Sequence, residues 1–214
     1  LTAFASKVYV PYMVMAVILV ILSFWILKSA LPEIKASEFN VQPEGDVQIS
    51  KDSIFQFPHL WLGALCIFLY VGAEVMAGDA IGTYGRGFNI SADEAKYFTS
   101  FTLAGMLAGY VIGITCIPKF ISQQGALKLS AFLGIGLVVL AYFTTGYVSV
   151  MMVALLGLAN AMMWAAIFPL GISGLGKFTE KGSAILIMGI AGGAIIPLAF
   201  GKLKETMDFQ LVFL

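Results

Sequence analysis

An apolar run long enough to cross a membrane, PHLWLGALCIFLYVGAEVMAGDAIGTYG (58–85), carries a carboxylate, Glu74, in its body. An acidic side chain at the centre of a membrane helix costs roughly 2.5 to 3.5 kcal/mol on insertion scales, and such groups face a bundle interior or a water-filled path. Helical periodicity sets Cys66, Tyr70, Glu74 and Ala77 on one stripe, with Gly72 and Gly78 loosening the backbone beside it. A phenol and a carboxylate one turn apart form a hydrogen-bonding pair suited to a polar ligand. The competing reading is a carboxylate satisfied by a neighbouring helix, with no ligand contact. Asp79, off the stripe and nearer the boundary, suits a cap or a local ion pair with Arg86.

A second constellation lies in GLANAMMWAAIFPLGISGLG (157–176), where Asn160, Trp164 and Phe168 recur every four residues. An amide, an indole and a phenyl ring on one helix face suit a sugar. The amide pairs with hydroxyls, while an aromatic face stacks on the apolar C–H face of a pyranose. The competing reading makes Asn160 a polar contact between helices, worth about 0.6 kcal/mol on average in a membrane, and the rings ordinary packing. Pro169 followed by Gly171 predicts a kink toward the cytoplasmic end of this helix, a plausible gate beside the site.

The elements that must position these residues are membrane helices. The 214-residue chain is 60% hydrophobic and 11% charged, well outside the balance of a soluble domain. Crossing the hydrocarbon core takes about 20 mostly apolar residues. Such runs occur at 9–31, 58–82, 97–117, 126–145, 148–172 and 183–201, and a further one begins near Phe209. The fold class is therefore an all-α polytopic membrane bundle, with six complete spans and the start of a seventh. Three regions follow: a first span in 1–31, a polar linker at 32–57, and a helix bundle over 58–214. Short connections among the later spans make successive helices antiparallel neighbours. The side bearing the linker holds Lys28, Lys35, Lys51, Lys119, Lys128, Lys177 and Lys181, against Lys7, Arg86, Lys96, Lys202 and Lys204 opposite. That bias places the linker in the cytoplasm. The chain starts at Leu1 and stops in QLVFL, an apolar run only begun, so it reads as an excerpt of a longer protein.

Glycines cluster in the helices. Gly105, Gly109 and Gly113 share one face of the third span, and Gly182, Gly189, Gly192 and Gly193 precede Pro197 in the sixth. A smooth face lets another helix approach closely. It serves either static packing or a surface on which two bundles rock. Cys66 and Cys116 lie fifty residues apart within apolar runs and read as small buried hydrophobes, not as a metal site or disulfide. His59, beside Trp61 at a span entrance, reads as an interfacial anchor. The chain has no HExxH, no phosphate-binding glycine loop with its lysine and no filter-like loop, which argues against an enzyme, a metal site or an ion channel. Net charge is zero, giving no basic surface for nucleic acid.

The elements FLYVGAEVMAGDAIGTYG (68–85), NAMMWAAIFPLGISGLGKFTEKGSA (160–184) and ILIMGIAGGAIIPLAFG (185–201) resemble the fucose and glucose/galactose permeases of the major facilitator superfamily. The resemblance covers nearly the whole chain. It implies the C-terminal half of a twelve-helix carrier, from the sixth helix to the start of the twelfth, with 32–57 as the central cytoplasmic loop. It also implies alternating access in a bacterial inner membrane and import of a sugar with a proton as coupling ion, without another cofactor. The partners implied are a small sugar, the bilayer and the missing N-terminal half, which is expected to carry the principal coupling carboxylates. In the family the seventh and tenth helices line the cavity, and they correspond to the spans bearing Glu74 and Trp164. Tyr70 and Glu74 match a YVGAE or YVGAQ element, and the glutamine alternative suggests hydrogen bonding to sugar more than proton carriage. Trp164 matches an aromatic that faces the sugar, and Ala165 stands where the family often has proline. Gly105, Gly109, Gly113, Gly192 and Gly193 correspond to faces against the other half, which favours the rocking reading and, with Pro169, a gating role. The alternatives are a carrier for a non-sugar solute and a membrane scaffold. Transport predicts that Glu74, Asn160 and Trp164 face one aqueous cavity, whereas a scaffold predicts separate helix contacts.

Overall fold

The structure, a computed structural model, describes residues 2–29 (side chains from residue 9), 53–117 and 119–214, and all regular elements among them are helical. Helices long and apolar enough to cross a membrane occur at Tyr9–Lys28, Pro58–Gly87, Ala92–Cys116, Gln123–Phe143 and Gly176–Leu203. A sixth span forms if the bent pair Gly146–Asn160 and Met163–Ile172 crosses as one. Each predicted apolar run thus has its helix. Several begin earlier than hydropathy alone predicts, and in α4 and α5, starting at Ala92 and Gln123, the added first turn is polar and capped. The Ser91 hydroxyl accepts from the Glu94 amide at 3.3 Å, and the Ser122 hydroxyl from the Gly125 amide at 3.1 Å. Most of the 32–57 linker lies outside the described residues; its end forms a short 3₁₀ turn, Ile54–Gln56, with Ser53 at its N-cap.

The chain divides into two units, one holding α1 and the other the remaining helices. Helix α1 (Thr2–Lys28) is apolar along its length, contains Pro11 and ends on Lys28, a charge suited to the carbonyl end of a helix. In the second unit α2 (Pro58–Val75) passes through one π turn (Met76–Ala80) into α3 (Ile81–Gly87). Two unbroken spans follow, α4 (Ala92–Cys116) and α5 (Gln123–Phe143). The next span is α6 (Gly146–Asn160) and α7 (Met163–Ile172), bent by 40°. Helix α8 (Thr179–Met188) then continues through a 3₁₀ turn, Gly189–Ala191, into α9 (Gly192–Leu203), and α10 (Phe209–Phe213) follows. Three spans of this unit are therefore interrupted.

Glycines decide how the helices meet. A Cβ on Gly105 would lie 3.4 Å from the Leu158 backbone nitrogen, on Gly109 2.8 Å from the Leu158 carbonyl, and on Gly113 3.1 Å from Met162 Cγ. From the other side, a Cβ on Gly157 would collide with the Thr102 carbonyl. The glycine face of α4 thus receives α6 and the bend that follows it. The two faces assigned to a second bundle are filled inside this chain: Gly192 lies against the Phe68 carbonyl, and Gly193 against Val71 and Val75 of α2. What the structure displays at these faces is close static packing. Leu186, fully buried, sits between Gly63 of α2 and Gly171 of α7, joining α8 to both.

Other expectations shift with the packing. Helix α7 runs through Pro169 without ending there, and the bend falls at residues 161 and 162, where Ala161 and Met162 seat on Gly109 and Gly113. Cys66 is exposed and Cys116 half-buried, so neither is a core residue. At the far end of the bundle Tyr84 is fully buried, stacked on Phe213 at 4.3 Å and hydrogen-bonded to the Ser149 hydroxyl at 2.6 Å. Gln210 Nε2 donates among the carbonyls of Ala141, Tyr142 and Thr144 at 2.8, 3.2 and 3.0 Å, closing the end of α5.

Gly192→Ala and Gly157→Ala should each destabilise the protein by about 1 to 3 kcal/mol, because the added methyl meets backbone that cannot rotate away. Gly136→Ala, with open space around it, should be neutral or slightly stabilising. Thermal unfolding of the purified protein in detergent checks all three.

Candidate functional site

Helix α2 carries Tyr70, only 7% exposed, and half-buried Glu74 one turn apart, and the phenol and carboxylate interact. Tyr110 of α4 lies within electrostatic reach of both. Tyr70 and Glu74 thus form a phenol–carboxylate pair able to hold a proton or to meet ligand hydroxyls as donor and acceptor, with the Tyr110 phenol in its electrostatic surroundings. Spacing within α2 signals the first two residues. Nothing in the sequence pairs Tyr110 with them, since the contact depends on how α4 registers against α2; its only local mark is a phenol within the glycine-rich face.

Immediately after Glu74 the helix widens into the π turn, which displaces carbonyls from the regular ladder. Thr102 Oγ1 donates to the Ala77 carbonyl at 2.9 Å, and Thr99 Oγ1 to the Gly78 carbonyl at 2.9 Å. Helix α4 therefore runs antiparallel to α2. It brings Thr99 and Thr102 to the turn and Tyr110 to the carboxylate.

The aromatic half of the site stands on α7. Trp164 and Phe168 stack with centroids 5.6 Å apart and planes at 22°, and both are half-buried. They pack against the apolar cluster that includes Tyr70, Val71 and Ile167. Tyr70 is thereby the hinge of the arrangement, touching the carboxylate on one side and belonging to the cluster of the stacked rings on the other.

Asn160 differs from the expected shared face. It ends α6 before the bend, is 5% exposed, and its Nδ2 has no hydrogen-bond partner; Ser130 Oγ on α5 is likewise buried and unpaired. The four-residue rule that aligned Asn160 with Trp164 assumes an unbroken helix, and a 40° bend at residues 161 and 162 lies between the two. Asp79 makes no ion pair among the described residues, because Arg86 turns to the Thr83 hydroxyl at 3.3 Å. His59 Nε2–H donates to the Ser173 carbonyl at 2.9 Å, tying the start of α2 to the residue after α7. No group of three His, Cys, Asp or Glu side chains among the described residues is placed to hold a metal.

Cavities of about 430 and 370 Å³ are lined by none of Tyr70, Glu74, Tyr110, Trp164 and Phe168. The first is lined by Arg86, Lys204 and Glu205 among others, and the second is an apolar groove along Leu69, Ala73 and Ile196. The candidate site is an α2–α7 neighbourhood, with Tyr110 of α4 in electrostatic reach of it, and not an enclosed pocket of this chain.

No protein-family model matches the chain. It is 34% identical to a glucose/galactose transporter of Brucella abortus, across 98% of this chain and 50% of that protein. It is 24% identical to the L-fucose-proton symporter of Escherichia coli, across 94% of this chain and 46% of that protein. The crystal structure of the major facilitator transporter FucP in the outward conformation superposes with a TM-score of 0.75 at 22% identity, across 96% of this chain and 50% of that one. The chain spans about half the length of the curated relatives it matches. Over nearly its whole length the chain is thus similar in sequence to one half of glucose/galactose and L-fucose permeases, and in fold to one half of FucP.

Proposed function

We propose that the chain is the C-terminal half of a proton-linked importer of a hexose or of fucose in a bacterial inner membrane, working by alternating access. One observation carries the reading: Tyr70, which pairs with the Glu74 carboxylate, belongs to the apolar cluster against which the stacked, half-buried rings of Trp164 and Phe168 pack. A pyranose presents the matching surface, hydroxyls at its rim and an apolar C–H face. Trp164, backed by Phe168, supplies the stacking platform. Glu74 accepts hydrogen bonds from sugar hydroxyls, while Tyr70 and Tyr110 orient it. Asn160, buried on the far side of the bend, takes no part in this arrangement. The relatives' names support both parts, sugar through the glucose/galactose transporter and the proton through the L-fucose-proton symporter. The missing half completes the cavity and contributes the principal coupling carboxylates.

Uptake of labelled hexoses and fucose by the complete parent protein in membrane vesicles, with and without a proton gradient, tests this reading. Glu74→Gln keeps an acceptor but exchanges a charged hydrogen bond for a neutral one, a loss of about 1 kcal/mol, so affinity should fall about fivefold with gradient dependence retained. Unchanged affinity with loss of gradient-driven accumulation would make Glu74 a coupling residue instead. Trp164→Ala removes the platform and should weaken sugar binding about tenfold or more in equilibrium titration. Wild-type affinity in that variant would reject the stacking role.

A further inference from the structure

We infer that Thr99 and Thr102 are positioning residues, whose hydroxyls hold the π turn after Glu74 and thereby fix how the Tyr70–Glu74 pair is presented. The inference rests on the substrate reading above and extends it to a second helix.

A π turn contains one residue more than an α turn, and each residue rotates an α-helix by about 100°. Straightening Met76–Ala80 into α-helix would therefore turn everything before it relative to everything after it by roughly that angle. The later side is fixed. Tyr84 is fully buried, bonded to Ser149 at 2.6 Å and stacked on Phe213. The side before the turn is packed as well, with Phe68 against Gly192 and Val71 and Val75 against Gly193, so the turn sets the rotational offset between the Tyr70–Glu74 pair and the Tyr84 anchor.

The turn also carries a cost that the threonines remove. Within a membrane bundle each displaced carbonyl must be met inside the protein. Thr99 and Thr102 meet two successive ones, Gly78 and Ala77, each at 2.9 Å. The Thr102 hydroxyl, 1% exposed, also lies 3.2 Å from the Phe98 carbonyl of its own helix. Its single proton has a second acceptor within reach, so it can release Ala77 without being left unpaired. Three of the turn's five residues, Ala77, Gly78 and Ala80, are small, and a Cβ on Gly78 would meet nothing within 4 Å. Room to rearrange and a donor with two acceptors occur together at this position. Thr115, further along α4, supplies the contrast: its hydroxyl bonds only within its own helix, to Val111 and Ile112 at 2.9 Å each, apart from a longer approach to the adjoining Cys116 sulfur.

The test uses the complete parent carrier in lipid nanodiscs, with Thr102→Val, Thr102→Ser, Thr99→Val and Thr115→Val. Two quantities are read: hydrogen exchange of the amides of residues 76–82, and affinity for glucose, galactose and fucose by equilibrium binding. Thr102→Val should speed exchange in that segment at least tenfold and weaken binding of the preferred sugar about fivefold. Thr102→Ser should restore both, Thr99→Val should give a smaller change in the same direction, and Thr115→Val should match the wild type. Wild-type exchange in Thr102→Val overturns the inference, as does failure of serine to restore what valine loses. If Thr102→Val does not fold, Thr99→Val decides by the same two readings. A wild-type carrier that binds none of the sugars defeats the substrate reading, and the exchange measurement then judges the clamp by itself.

Discussion

In the interior of a membrane bundle, a backbone carbonyl that leaves its helix ladder has no water to turn to and must be met by protein. Much of this structure follows from that constraint. Three spans are interrupted, and at the first the freed carbonyls are met by threonine hydroxyls from α4. At the second the bend seats directly on α4's glycine face, through Ala161 on Gly109 and Met162 on Gly113. At the third, Gly189 and Gly192 bring the 3₁₀ turn against the backbone of α2 at Ala64 and Phe68. Helix α4 thus supports two interruptions, and α2 supports the third while carrying one of its own.

Interrupted helices are useful because they free side chains from strict helical phase. The π turn lets Glu74 and Tyr70 be set independently of the Tyr84 anchor on the same span. The bend between α6 and α7 separates Asn160 from Trp164 and leaves the two stacked rings half-exposed. Close helix approach, made available by Gly63 and Gly171, then brings Tyr70 and the stacked rings of Trp164 and Phe168 to one apolar cluster. Packing and site are one design: the residues that seat the helices are also those that determine which polar groups remain unburied.

The spans were legible in the sequence because a membrane helix must be apolar over its whole length. Their starts were less so, since the capped turns at Ser91 and Ser122 are polar and fall outside the apolar runs. Pairs on one unbroken helix, Tyr70 with Glu74 and Trp164 with Phe168, could be read from spacing. The spacing of Asn160 to Trp164 crosses a bend that the sequence did not signal, because the visible helix breaker, Pro169, is not where the bend falls. The glycine stripe of α4 was read correctly as a close-approach face, but its partner depends on tertiary register. For the same reason Tyr110, Thr99 and Thr102, all ordinary residues of an apolar helix, gave no signal of their contacts with α2.

The central claim is that the Tyr70–Glu74 pair and the Trp164–Phe168 stack form two walls of one sugar site. A structure of the complete carrier with its preferred hexose bound tests it most directly. The account predicts a pyranose with its C–H face in van der Waals contact with the Trp164 indole and a hydroxyl within about 3.2 Å of the Glu74 carboxylate. A sugar bound elsewhere, with Trp164 and Glu74 still in contact only with neighbouring helices, would contradict it.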